Sequence, residues 1–291
     1  MSKPLLLPVW FRCLLIVGAV VSLNGHLCAE RVKLAVSDLI LCEALPAHTG
    51  EETQLEWVQT GSSMALHQLD AGMVDGALVL GPLDGAALPE QFTGAMIGVG
   101  GVFLAVHKDN PLQELVVEDL KPLLQSAREG SRIEWSALVD EPAWSLREVY
   151  WGFRMEEGSI GRLLWNHYCF GSEEVWPAEG SLPEAVPSDL LVENHLLILD
   201  SPAKLPADFR LLPIKLMEDA VAFPPSSENL FYGDYPLCEK LMLVVQSSKS
   251  DQAWLRAFYE ADMDEVLEMS AFVPLEGNLK DQSLLVFDKG S

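Results

Sequence analysis

The stretch TGSSMALHQLDAGMVDGALVLGP, residues 60–82, holds the side chains best suited to chemistry. Ser62 and Ser63 precede an apolar-periodic run that ends at Gly72, so their hydroxyls would stand beside the free N–H groups of a helix start. Such an end carries a partial positive charge and outward-facing donors, which suits an anion. The same serines suit an ordinary helix cap. Asp75, before Gly76 at the mouth of the next apolar run, reads either as a carboxylate acceptor or as a turn residue. Alone, the segment supports an anion cradle and a capped helix equally.

Other chemistries find little material. His26, His48, His67, His107, His167 and His195 show neither i, i+4 pairing nor an HExxH spacing, so no metal site is expected. There is no Gly-x-Ser-x-Gly elbow, and DLILCEAL and NHYCFG show no Cys–His dyad. With no nucleophile and positioned base to name, the chain reads as a non-enzyme without a cofactor. Trp57, Trp135, Trp144, Trp151, Trp165, Trp176 and Trp254 are expected to pack in the core or on the lobes rather than to form a sugar-stacking platform.

The 291 residues are 49% hydrophobic, enough for one large domain or two lobes, and show no repeat of a solenoid or propeller period. Residues 1–29 read as a secretory signal peptide: Lys3 and Arg12 are basic, LLIVGAVVSL is apolar, and Ala29 offers a small residue for cleavage. Without Lys3 and Arg12, 17 basic groups face 43 acidic ones, a formal charge of −26, which argues against nucleic acid and anionic membrane as partners. Cys42, Cys169 and Cys238 remain, an odd and widely spaced set that suits three small buried side chains better than a disulfide framework.

Positioning any site falls to an alternation of strands and helices. RVKLAV, TQLEWVQT and VDGALVLG read as strands, with LILCEALPAH a short helix and SSMALHQLDAG a second. VGGVFLAVHKDNPL reads as one strand ended by Asn110-Pro111. VVEDLKPLLQ is a helix if Pro122 lies in its first turn, and GSIGRLLWNHYCFG is another, capped by Ser159 or Gly158. Residues 173–187 read as an acidic surface loop. NHLLILD and FRLLPI are strands, YPLCEKLMLVVQ is a loop entering a strand, and DQAWLRAFYEADMDEVLEMS is one or two helices. The alternation implies parallel pairing in an α/β fold, with ligand loops at the strand carboxyl ends.

Several pieces, in this order, resemble the phosphate-binding periplasmic protein family, the substrate-binding proteins of ABC phosphate importers. The opening stretch is similar to the family's Gly-Ser-Gly loop, helix and strand. VHKDNPLQELVVEDLKPLL, EGSRIEWSAL, FRMEEGSIGRLLW, GDYPLCEKLMLVV and MSAFVPL resemble its later motifs across nearly all of the chain after residue 29. The resemblance implies a two-lobed, type II periplasmic binding protein, each lobe a mixed sheet flanked by helices. Lobe one would take residues 30–104 and 237–291, and lobe two residues 105–236.

It further implies an exported, monomeric protein that binds phosphate or a related small oxyanion and delivers it to an ABC permease. Matching position by position implies Ser37, Ser62, Ser63 and Asp75 from lobe one, with Arg154 and Ser159 from lobe two. Helix N-termini, hydroxyls and an Arg fork would grip the anion, and a carboxylate would accept the proton of a protonated phosphate. Where the family keeps Gly this chain has Ser63 and Ile160, and Asp38 follows Ser37. Those departures leave open a protein that kept the fold without the ligand and serves as an interaction or sensory module.

Overall fold

Strands buried on both faces need small residues wherever a helix must approach closely, and the first sheet is built on that rule. The computed structural model describes residues 30–49, 53–81, 88–128, 131–156, 158–170, 192–250, 253–261 and 263–288. The leader expected over residues 1–29, the loop expected over 173–187 and Trp176 lie outside them. The chain opens with β1 (Glu30–Ser37), β2 (His48–Thr49), β3 (Thr53–Thr60), α1 (Ser62–Asp70), β4 (Gly76–Leu80) and β5 (Phe92–Gly101). It continues through β6 (Phe103–His107), β7 (Leu115–Val116), α2 (Val117–Arg128), β8 (Tyr150–Arg154), α3 (Ile160–Phe170) and β9 (His195–Leu199). Then come β10 (Phe209–Leu211), β11 (Ile214–Lys215), α4 (Ser227–Tyr232) and β12 (Cys238–Gln246). The last elements are α5 (Ala253–Glu260), α6 (Asp264–Met269), β13 (Phe272–Pro274) and α7 (Gly277–Asp288).

The strands form two main mixed sheets, so the fold is α/β and two-lobed. One sheet runs β13-β5-β12-β4-β1-β3-β2, the other β10-β6-β9-β8, with β11-β7 as a small third ladder. In the first sheet β1 is parallel to β3 and β4, while β12 is antiparallel to β4 and β5. Its faces follow the period of two. Leu34, Val36 and Leu78 enter the large core, whereas Ala35, Ala77 and Val79 face Ala65 and Leu69 of α1. In the second lobe Trp135 and Trp165 are fully buried, and Trp165 meets the Phe153 ring edge-on at 6.2 Å. Cys169 and Cys238 are free thiols, pushed up to about 12 first of all by burial.

Several local expectations are corrected. LILCEALPAH forms only a 3-10 turn, Cys42–Ala44, because Pro46 follows within two residues and a run so short cannot offset the cost of helix nucleation. VGGVFLAVHKDNPL is not one strand: β5 ends at Gly101 and β6 starts at Phe103, in different sheets. Pro213 likewise divides FRLLPI into β10 and β11, since it offers no N–H to a ladder. Pro122 is the sixth residue of α2, beyond the first turn, and an exposed position tolerates the missing bond. DQAWLRAFYEADMDEVLEMS makes two helices, α5 and α6. The terminal helix α7 was not anticipated; it buries Leu279, Ser283 and Phe287 at i, i+4 and i+8.

Ala271, just before β13, has φ 60°. A side chain in the left-handed region costs roughly 1–2 kcal/mol, while Gly occupies it freely. Ala271→Gly should therefore raise the stability by about 1 kcal/mol, reduced by any methyl packing lost at this buried site. Urea unfolding would show a higher midpoint with an unchanged slope, and a lower midpoint would contradict the strain.

Candidate functional site

The site follows from strand direction. β1, β4 and β5 run the same way, so Ser37, Leu80 and Gly101 end at one edge of the first sheet. Helix α1 begins at that edge, with Gly61 as its cap and no side-chain capping bond. Ser62 is instead its first residue, and its Oγ accepts the N–H of Leu80 at 3.1 Å, tying the helix start to the end of β4. Ser63 follows and is exposed. Because the Ser62 oxygen accepts a bond, its own proton is left to donate.

Ser37 is buried, and its Oγ accepts the N–H of Leu39 at 3.4 Å while lying 3.5 Å from Asp38 Oδ1. It shapes the turn after β1 rather than facing solvent. Asp75 lies elsewhere. Its Oδ2 accepts the N–H of Lys33 at 3.0 Å, and Oδ1 stands 3.6 Å from the Lys249 ammonium, at the opposite edge of the sheet. The five residues of β4 separate Asp75 from the Ser62 anchor by ~16 Å. Asp75 is thus corrected from cleft acceptor to brace. The sequence pattern marked the strand, but its direction relative to the helix start decided which end meets the cleft.

The second lobe contributes through the ends of β8 and β9. Arg154 closes β8, and its Nη1 donates to the Lys204 carbonyl at 3.3 Å. Asp200 follows β9 and is wholly buried. It accepts the N–H of Glu156 at 2.7 Å and pairs with the Lys204 ammonium at 2.9 Å; Lys204 also meets Glu156 Oε1 at 2.8 Å. Burial opposes the charge on Lys204, but its bonds to Asp200 and Glu156 outweigh that and raise its pKa. Gly158, at φ 76°, makes the left-handed turn that sets Ser159 at the start of α3. Ser159 Oγ accepts the N–H of Arg162 at 3.3 Å, so Ser159 caps α3 and, like Ser62, keeps a proton to donate.

The lobes meet at the first turn of α3. Ile160 has no exposure, and a Cβ built on Gly100 of β5 would lie 2.5 Å from its Cγ2. A Cβ on Gly161 would stand 2.5 Å from the Asp200 Cβ and 2.9 Å from the Gly101 carbonyl oxygen. Gly100 pairs with Glu239 on β12, and Gly81 donates its N–H to Lys240 on the same strand at 2.6 Å. The starts of α1 and α3 therefore reach one sheet edge about two strand spacings apart, ~10 Å.

This arrangement gathers two sets of helix N–H groups, two hydroxyls and a guanidinium already tied to the Lys204 carbonyl, groups of the kind that hold an anion. Arg154 and Lys204 supply positive charge there, against Asp38, Glu156 and Asp200. Asp200, Lys204 and Gly100 were not picked out from the sequence. Their signals were an Asp after the apolar run HLLIL and a Gly-Gly pair inside a long strand.

The Ile160 seat can be tested by a double-mutant cycle. Gly100→Ala should destabilise the protein strongly in the native background and much less beside Ile160→Ala, a coupling of about 1–3 kcal/mol. Additive effects in urea unfolding would mean that the two residues do not touch.

No protein-family model and no curated protein matches the sequence. Solved structures do. A possible phosphate binding protein from Planctomyces limnophilus is similar at TM-score 0.58 and 13% identity, over 91% of this chain and 99% of that one. An ABC-type phosphate transport receptor from Vibrio cholerae matches at 0.55 and 13%, over 84% and 99%. PstS from Borrelia burgdorferi matches at 0.54 and 11%, over 85% and 100%. Over most of its length, the chain has the two-lobed fold of these phosphate-binding proteins.

Proposed function

We propose that the chain is an exported, non-enzymatic solute-binding protein that holds phosphate or a related small oxyanion between its lobes and passes it to an ABC permease. The observation that carries this reading is the meeting of the α1 and α3 starts at one sheet edge, each with a hydroxyl that accepts a backbone N–H and, among the described residues, donates to no partner. Ser62, Ser63, Arg154 and Ser159 would contact the anion, with Ser37 holding the turn beside it. Lobe one would span 30–101 and 238–291 and lobe two 103–236, since Phe103 and Leu104 already pair with β9 in the second sheet, and the protein would act as a monomer. The periplasm is the compartment that fits a receptor with the fold of the Vibrio cholerae protein.

A second reading is favoured by one contact. Ile160, wholly buried on Gly100, sets an apolar side chain at the start of α3, where an anion would need the backbone N–H groups. A protein with that contact would keep the fold without the ligand and act as an interaction or sensory module.

Calorimetry on the chain lacking residues 1–29 separates the two. Under the first reading, phosphate or arsenate at millimolar concentration gives saturable heat, and Arg154→Ala abolishes it. Under the second, the native chain gives none and Ile160→Gly restores binding. Silence from both proteins would sink the oxyanion reading.

A further inference from the structure

Lys204 closes the 3-10 turn Pro202–Lys204, which leads out of β9 in the second lobe. The turn is held by its own bonds: Ser201 caps it, its Oγ accepting the Ala203 N–H at 3.2 Å, and Lys204 donates its N–H to the Ser201 carbonyl at 3.1 Å. Ser201 is itself buried. A backbone so fixed gives the Lys204 carbonyl and ammonium settled positions, and both are used.

Three routes lead from Lys204 to the second lobe's anion groups. Its carbonyl accepts Arg154 Nη1 at 3.3 Å, which helps to aim the guanidinium. Its ammonium holds Glu156 Oε1 at 2.8 Å, and the Glu156 carbonyl accepts the Ser159 N–H at 3.2 Å. The same ammonium holds the wholly buried Asp200 at 2.9 Å. Asp200 is the seat of α3: a Cβ on Gly161 would lie 2.5 Å from the Asp200 Cβ and 2.8 Å from its Cα, so the helix start and Asp200 move together. Lys204 is not the anion's own cation, because its ammonium is shared between two carboxylates that together outweigh it.

We propose that Lys204 is a positioning residue of the oxyanion site, which sets the aim of Arg154 and the place of Ser159 without touching the anion. The inference rests on the oxyanion reading and goes beyond it, because affinity then depends on a side chain outside the contact set. Binding groups must be held within about 0.5 Å of their working geometry, so loosening this anchor costs affinity even where the fold survives.

The test is calorimetry of the full chain with phosphate, beside its melting temperature. Lys204→Met, which keeps the length and removes the charge, should weaken phosphate at least about tenfold. Lys204→Arg, whose guanidinium can span the same two carboxylates, should stay within about threefold of the native protein. Lys204→Met also strands the buried Asp200 charge, so by itself it does not separate position from stability. Lys204→Met combined with Asp200→Asn removes that charge and keeps an oxygen for the Glu156 N–H. Its melting temperature should return towards the native value while phosphate stays at least about tenfold weaker. Native affinity in the double variant, no rescue by Lys204→Arg, or affinity that merely tracks melting temperature across the set overturns the positioning role and leaves the oxyanion reading standing. If only Ile160→Gly binds phosphate, the same comparison is made in that background. Silence from the native chain and from Ile160→Gly overturns both.

Discussion

The chain passes between its two main sheets at Val102 and returns at Leu237, and these passages are bonded to each other. Val102 donates its N–H to the Leu237 carbonyl at 2.8 Å and accepts the Tyr235 hydroxyl at 2.8 Å. Both backbone groups are satisfied, so Val102 can be wholly buried without stranding a polar atom. Tyr235, also without exposure, stacks on Phe103 at 5.8 Å, and burial raises its phenol well above the ordinary value. Gly101 is forced by the same crossing, because a Cβ there would lie 2.9 Å from the Phe103 ring and 3.1 Å from the Leu237 carbonyl oxygen.

From that crossing the rest of the cleft is determined. With β5 ending at Gly101, Gly100 presents bare backbone to the second lobe, and the first turn of α3 settles on it. The same pair of glycines thus serves the chain crossing on one side and the lobe contact on the other. Dispersion over Ile160 holds the lobes together there, a contact that requires no ligand. Whether the cleft closes on an anion or on itself is therefore a contest between helix-start donors and one apolar side chain.

Charge acts locally in this protein. The formal total of −24 says little about the cleft, because exposed charges more than about 8 Å apart are largely screened at physiological salt. What matters is the buried group Asp200, whose charge is balanced by Lys204 and by the Glu156 N–H. Losing one partner would leave a carboxylate without compensation inside the protein, so the three residues hold the β8–α3 connection as a unit. That connection carries both Arg154 and Ser159.

The sequence by itself determined the α/β alternation, the helix starting at Ser62, the helix after Ser159 and the order of motifs that resembles phosphate-binding proteins. Each of these rests on local properties: period, capping residues and short turn signals act within a few residues of one another. The fate of VGGVFLAV, split between two sheets at Val102, was not legible, because a continuous apolar run looks the same whether or not the chain changes sheet. Ser62 and Asp75 both precede β4 in sequence and both read as ligand candidates, yet strand direction set one beside the end of β4 and the other at its start, against Lys33 and Lys249. Asp200 and Gly100 became visible only when residues 39 to 60 positions away met α3 and completed the site. Local chemistry writes the elements, but which ends of them share an edge is set by long-range pairing, and that only the tertiary structure decided.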